Sequence, residues 1–160
     1  ICLRIMKRRS KSSSTKKNNM NAIVPYLNFN GNAAEALAFY SKALNGAIEF
    51  QQTFGESPME VPAEAKNYIM HATFKAGDLT FMVSDCMPGQ EVAGGTNLSL
   101  SLHFTDLDNI NKTFDALSQG GIVTMELQDT FWGARFGMLK DKYGFNWMFN
   151  YDYPKEENKS

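Results

Sequence analysis

Residues 129–147 read DTFWGARFGMLKDKYGFNW, two apolar-rich runs on either side of a polar, glycine-containing break. Runs of this length separated by turn residues predict a β-hairpin. Closing it around residues 141–144 pairs Lys140 with Phe145. Successive strand residues point to opposite faces. In this register Gly133, Arg135, Gly137 and Leu139 therefore share a face with Asn146, Met148 and Asn150. Ala134, Phe136 and Met138 join Trp147, Phe149 and Tyr151 on the other face, toward a helix. Two glycines would leave room for a ligand, and Arg135 between them offers a cationic fork for a carboxylate, phosphate or enolate oxygen. Two blander readings stand beside this one: a strand glycine can mark a bulge or a sharp curl, and Arg135 can pair with Glu126 or Asp129. Register decides among them, because a slip of one residue exchanges the two faces and brings Phe136 inward.

The chain around the hairpin has 160 residues, 43% of them hydrophobic, enough for one core or two small equivalent ones. No run approaches the roughly 18 apolar residues of a membrane span. Cys2 and Cys86 are too few for a disulfide framework, and no secretory signal pattern is seen, which suits a reducing cytoplasm. Residues 1–19 carry seven of the sixteen basic residues and no acid, and read as a disordered extension with Met20 as the natural start. The remaining nine basic residues face seventeen acidic ones, about −8 in all, a body that repels nucleic acid.

Residues 22–30 look extended, and 32–44 look helical with Asn32 as N-cap and Gly46 just past the end. A strand follows at 47–54, a mobile loop at 55–66, and a hairpin of strands 67–74 and 79–85 whose closure pairs Phe74 with Leu79. After a linker at 86–96 the order repeats: strand 97–105, helix 107–119, strand 122–127, then the opening hairpin. A shift of 75 superposes Leu27 on Leu102, Phe29 on Phe104, Phe39 on Phe114 and Gly46 on Gly121. The repeat predicts an α+β fold of two pseudo-equivalent βαβββ modules, about 22–85 and 97–152, within a single domain at 20–153.

The segments PYLNFNGNAAEALAFYSKALNG (25–46), HATF (71–74), LTFMVSD (79–85), SLSLHFTD (99–106) and DTFWGARFG (129–137) resemble the vicinal oxygen chelate superfamily of glyoxalases, bleomycin-resistance proteins and extradiol dioxygenases, and within it the PhnB-like branch. The resemblance spans residues 22–152. It implies curled mixed sheets around a ligand cavity, helices on the convex side, and often a homodimer. It leaves the substrate open, since one fold hosts many activities.

With Leu27 and Phe29 toward a helix, strand alternation turns Val24, Tyr26 and Asn28 toward the cavity, and the shift of 75 adds Ser99, Ser101 and His103. His71 joins them from the first hairpin. The expected ligand-binding set is Tyr26, Asn28, His71, Ser101, His103, Gly133, Arg135, Gly137 and Met148, although for the two histidines a satisfied structural role is the leading reading. Metal-using relatives place His and Glu at four strand positions that fall here near Val24, near Ser99 or Leu100, at Met82 to Ser84, and at Met148. None is a nitrogen or carboxylate ligand for a hard or borderline cation, so the expectation is a cavity without metal or other cofactor. No G-x-G-x-x-G, G-x-x-x-x-G-K-[ST] or G-x-S-x-G occurs. The chain thus reads as a PhnB-like protein holding a small, anionic or neutral organic molecule, with catalysis open. The alternatives are a metal-dependent lyase, isomerase or dioxygenase, and a drug-sequestering resistance protein.

Overall fold

The structure, a computed structural model, describes residues 22–154. The extension at 1–19, the start at Met20 and the last residues of the tail lie outside the described residues.

Ten regular elements follow in chain order: β1 (Tyr26–Phe29), α1 (Ala33–Ala43), β2 (Ala47–Thr53), β3 (Ile69–Ala76), β4 (Leu79–Asp85), β5 (Leu100–Phe104), α2 (Leu107–Ser118), β6 (Ile122–Asp129), β7 (Ala134–Lys140) and β8 (Asn146–Asp152). They form two four-stranded sheets, β1-β4-β3-β2 and β5-β8-β7-β6, with β1 parallel to β4 and β5 parallel to β8. This is the α+β arrangement of paired βαβββ modules that the repeat predicts. The sheets stay open, and β1 and β5 each end a sheet.

Helix α1 buries Ala33, Ala36, Leu37, Tyr40 and Ala43, the three-and-four spacing of one helix face. Its start differs from expectation. Asn32 makes no side-chain cap; instead Asp85, at the end of β4, accepts the Ala33 N–H at 2.9 Å and the Ile69 N–H at 2.8 Å, so one buried carboxylate ties helix, β3 and β4 together. At the helix end Asn45 takes the left-handed conformation (φ 50°), and Gly46 is needed because a Cβ there would strike the Phe74 ring and the Lys75 carbonyl. Residues 55–66 are not a free loop: two short 3₁₀ turns anchor them through buried Phe54 and Ala65.

The two hairpins settle the faces. In the first, Phe74 pairs with Phe81 and Ala76 with Leu79, around a tight Gly77-Asp78 turn. That is two residues from the expected register, so every side chain keeps its face. In the second, Lys140 pairs with Asn146, Leu139 with Trp147, Gly137 with Phe149 and Arg135 with Tyr151. That is one residue from the expected register, and the faces exchange. The cause is Asp141, which lengthens the turn: its N–H bonds the Phe145 carbonyl at 2.9 Å, and its Oδ1 accepts the Tyr143 and Phe145 N–H groups at 2.9 and 3.0 Å. Phe145 therefore belongs to the turn.

Both sheets turn one face into a single core that contains α1 and α2. Asp141 joins the modules within it. Only 3% exposed, its Oδ2 accepts the Tyr40 hydroxyl from α1 at 2.7 Å and the Trp147 indole N–H at 2.8 Å. Above it Glu35 accepts Lys142 Nζ at 3.0 Å and the Tyr143 hydroxyl at 2.8 Å, clasping α1 to the β7–β8 turn from outside.

Candidate functional site

Because Leu27, Phe29, Ala72, Phe74, Phe81 and Val83 are buried in the core, the other face of sheet one presents Tyr26, Asn28, His71, Thr73, Met82 and Ser84. Two rows cross it. Tyr26 lies level with Met82, Thr73 and Phe50, and Asn28 with Ser84, beyond which the ladder brings His71 and Gln52 into line. Tyr26 Oη and His71 Nδ1 are 3.0 Å apart, and the Phe50 ring lies 5.9 Å from the imidazole. The face is open, with Tyr26 45% and Phe50 50% exposed.

Sheet two repeats the plan. Leu139, Trp147 and Phe149 are buried, and Leu100, Leu102 and Phe104 pack on the core, so Ser101, His103, Met148, Asn150, Phe136, Met138 and Lys140 line the other face. Ser101 lies level with Met148, Met138 and Met125, and His103 with Asn150, Phe136 and Gln128. Ser101 Oγ and His103 Nε2 are 3.2 Å apart. Trp132, in the β6–β7 turn, packs its ring 6.1 Å from Phe136.

Of the expected residues, Tyr26, Asn28 and His71 share the open face of sheet one, and Ser101, His103 and Met148 that of sheet two. The glycine–arginine row does not join them. Gly133 precedes β7, in a turn, at φ +83°. Gly137 faces the helix layer, where a Cβ would lie 2.9 Å from both Leu127 Cα and Phe114 Cε2; its missing side chain admits a helix, not a ligand. Arg135 points the same way, donating from Nε to Asn111 Oδ1 of α2 and from Nη1 to Asp129, each at 3.0 Å. The Tyr153 hydroxyl at 2.7 Å and this guanidinium hold the Asp129 carboxyl below its usual range. Phe50, Thr73, Phe136, Met138 and Lys140 occupy the faces unforeseen. The signal that could have found the last three was Asp141, an Asx-type turn residue that lengthens the loop by one.

Of the positions that the resemblance aligns with metal ligands, Val24 precedes β1 and Ser99 precedes β5, Leu100 pairs with Trp147, Met82 stands level with Tyr26, Ser84 with Asn28, and Met148 with Ser101. Phenol, hydroxyl and thioether are not the donor set of a nitrogen- and carboxylate-bound divalent ion, so these residues do not fit that metal. Two clefts flank the terminal strands: one of about 890 Å³ along β5, bordered by Lys42, Gly77, Asn109 and Lys112, and one of about 460 Å³ between β1, residues 92–98 and the β7–β8 turn.

The family model described as 3-demethylubiquinone-9 3-methyltransferase matches residues 21–149. The chain belongs to this family, the PhnB-like branch of the vicinal oxygen chelate superfamily. Protein YjdN of Escherichia coli is 32% identical over 136 residues, covering 79% of this chain and 92% of that protein. The crystal structure of PA1353 from Pseudomonas aeruginosa superposes with a TM-score of 0.75 at 41% identity, covering 84% of this chain and all of that one. A PhnB protein from Bacillus cereus, carrying the same methyltransferase description, superposes with a TM-score of 0.70 at 26% identity, covering 82% and 99%. The fosfomycin resistance protein FosX of Listeria monocytogenes shares the fold, with a TM-score of 0.58 at 12% identity over 88% of this chain and 97% of that one. The β1–α1 connection is Asn30-Gly31-Asn32, with a single glycine. Among the described residues no helix is long and apolar enough to cross a membrane.

Proposed function

We propose that this glyoxalase/bleomycin-resistance-like chain binds a small organic molecule in a cup with two walls, the open face of sheet one from one copy and the open face of sheet two from a second copy, in a cytoplasmic homodimer. The observation that carries the reading is the correspondence of the open faces. Tyr26, Asn28, Met82 and Ser84 on one hold the places of Ser101, His103, Met148 and Asn150 on the other. Both sheets give their helix faces to the shared core, so one chain supplies both walls but turns them away from each other. A two-fold dimer unites them twice, and the free edges of β1 and β5 support such a junction, since unpaired strand edges seek partners. Tyr26, His71, Ser101 and His103 then provide hydrogen-bonding groups among apolar walls, the usual composition of a ligand site.

Complementation tests it, with 1-anilinonaphthalene-8-sulfonate as fluorescent probe. Met82→Trp fills one wall and Met148→Trp the other, so each homodimer alone loses binding. Unfolding the two together and refolding restores one clean cup per heterodimer, about a quarter of the wild-type sites under random pairing. No restoration, or a monomer by sedimentation at micromolar concentration, would refute the shared cup.

A further inference from the structure

We propose that Lys140 is the anion-binding residue of the cup and that the ligand it selects is a flat, largely apolar body carrying one acidic group. The inference rests on the two-walled cup above and adds the chemistry that the cup prefers. Arg135, the one arginine among the described residues, is turned to the helix layer and held by Asn111 and Asp129, so it cannot meet a ligand on the open face. Two lysines do lie on the open faces, at matching places. Lys75 follows His71 and Thr73 along β3, and Lys140 follows Phe136 and Met138 along β7. They differ in their neighbours. Lys75 faces Glu49 Oε1 at 3.5 Å, which offsets its charge. Lys140 is partly buried and enters no ion pair among the described residues. A cation that lacks a counter-charge attracts an anion more strongly than a paired one.

The rest of the wall defines the body of the ligand. From Lys140 the strand runs past Met138 to Phe136, about 13 Å for four residues, the length of a two-ring aromatic with its acidic substituent. Met125, Met138 and Met148 sit side by side across β6, β7 and β8, and thioether side chains are flexible and polarizable enough to fit against rings of different outline. Trp132 and Phe136 extend the apolar wall at the end remote from Lys140. The ligand therefore lies with its rings on the methionines and its carboxylate, sulfonate or phenolate at the lysine.

Two matched probes separate charge from shape: anionic 1-anilinonaphthalene-8-sulfonate and neutral N-phenyl-1-naphthylamine, titrated by fluorescence against the full chain. Lys140→Gln should weaken the anionic probe about tenfold, the size of one charge-assisted hydrogen bond, and shift the neutral probe less than about twofold. Lys140→Arg should retain most of the anionic preference. Lys75→Gln should change neither probe by more than about twofold, because Glu49 already compensates it, and Met148→Trp should abolish both. If Lys140→Gln leaves the anionic probe unchanged while Met148→Trp abolishes it, the cup stands and the assignment of Lys140 falls. If Lys75→Gln causes the loss instead, the anion belongs to the other wall and the assignment also falls. If Met148→Trp displaces neither probe, the cup reading itself fails.

Discussion

Replacing Tyr40 by phenylalanine removes one oxygen atom from a side chain with no exposed surface, and the consequence can be worked out from the contacts that oxygen makes. Its hydroxyl donates at 2.7 Å to Asp141 Oδ2, a carboxylate only 3% exposed, from the helix of one module to the turn of the other. A hydrogen bond to a charged group contributes about 1.5–3 kcal/mol net, and here the acceptor cannot turn to water when the donor is lost. With about 2.1 cal/mol/K of unfolding entropy per residue over the described domain, the melting temperature should fall by about 5–11 °C. The loss should stay within that range because Trp147, Tyr143 and Phe145 still donate to Asp141. Asp141→Ala leaves all these donors without the carboxylate and should cost more than the tyrosine change. Alkaline pH gives an independent check. Burial, then the charge of Asp141, push the Tyr40 phenol well above its ordinary value of 10.0. A group whose folded pKa is raised contributes stability that is full below the unfolded value and is lost as pH rises beyond it, at about 1.4 kcal/mol per pH unit for one proton. Urea unfolding between about pH 9 and 11 should therefore show a steeper fall in wild type than in Tyr40→Phe, the two converging as pH rises. A melting temperature lowered by less than about 2 °C, or parallel alkaline profiles, would refute the claim that this bond joins the modules.

Gly137→Val should destabilise the fold by about 3 kcal/mol or more, read as a fall in urea midpoint, because its Cβ would already overlap Leu127 and Phe114 and the added methyls have nowhere to go. Arg135→Gln should leave binding of the anionic probe within about twofold of wild type, since the guanidinium points away from the open face. The same variant should show an acid signature in thermal melts. Asp129 has its carboxyl held below the ordinary 3.8, first by Tyr153 and then by Arg135. A depressed folded pKa contributes stability present above the unfolded value and lost as pH falls, so the gap between wild type and variant should be full at neutral pH and shrink as pH drops below about 4.

Much of the architecture was legible because period and punctuation agreed. The α1 face from Ala33 to Tyr40 carries a helical spacing that no strand shares, and β4 begins and ends where its apolar alternation does, at Leu79 and Asp85. The repeat at a shift of 75 was visible because Leu27 and Leu102, and Phe29 and Phe104, fill the same core places in the two modules. Caps were less legible. Asn32 has the right chemistry for an N-cap, but the carboxylate that serves the helix comes from Asp85, 52 residues away, and nothing local announces it.

The second hairpin shows why a site can be misread when its fold is read well. Residues 134–139 hold an arginine and a glycine on one face and phenylalanine and methionine on the other, and polarity alone favours sending the guanidinium outward, since a buried unpaired one is costly. The structure removes that cost with two partners: Asp129, one of the two acids the sequence offers to Arg135, stands beside it once β6 and β7 are paired, and Asn111, which nothing local announces, lies 24 residues away on α2. The same step sends Phe136 and Met138 to the open face and carries Lys140 with them. Asp141, set between two lysines, reads as a solvated turn residue, yet its carboxylate is the buried acceptor for Tyr40 and Trp147 and fixes the five-residue turn. A single carboxylate thus sets the turn length, the turn length sets the register, and the register decides which cation lies on the open face. That chain of causes gives Asp141 a consequence beyond stability. Any substitution that shortens the turn by one residue without unfolding the domain should exchange Lys140 for Arg135 on the open face and replace a methionine wall by one containing Gly137.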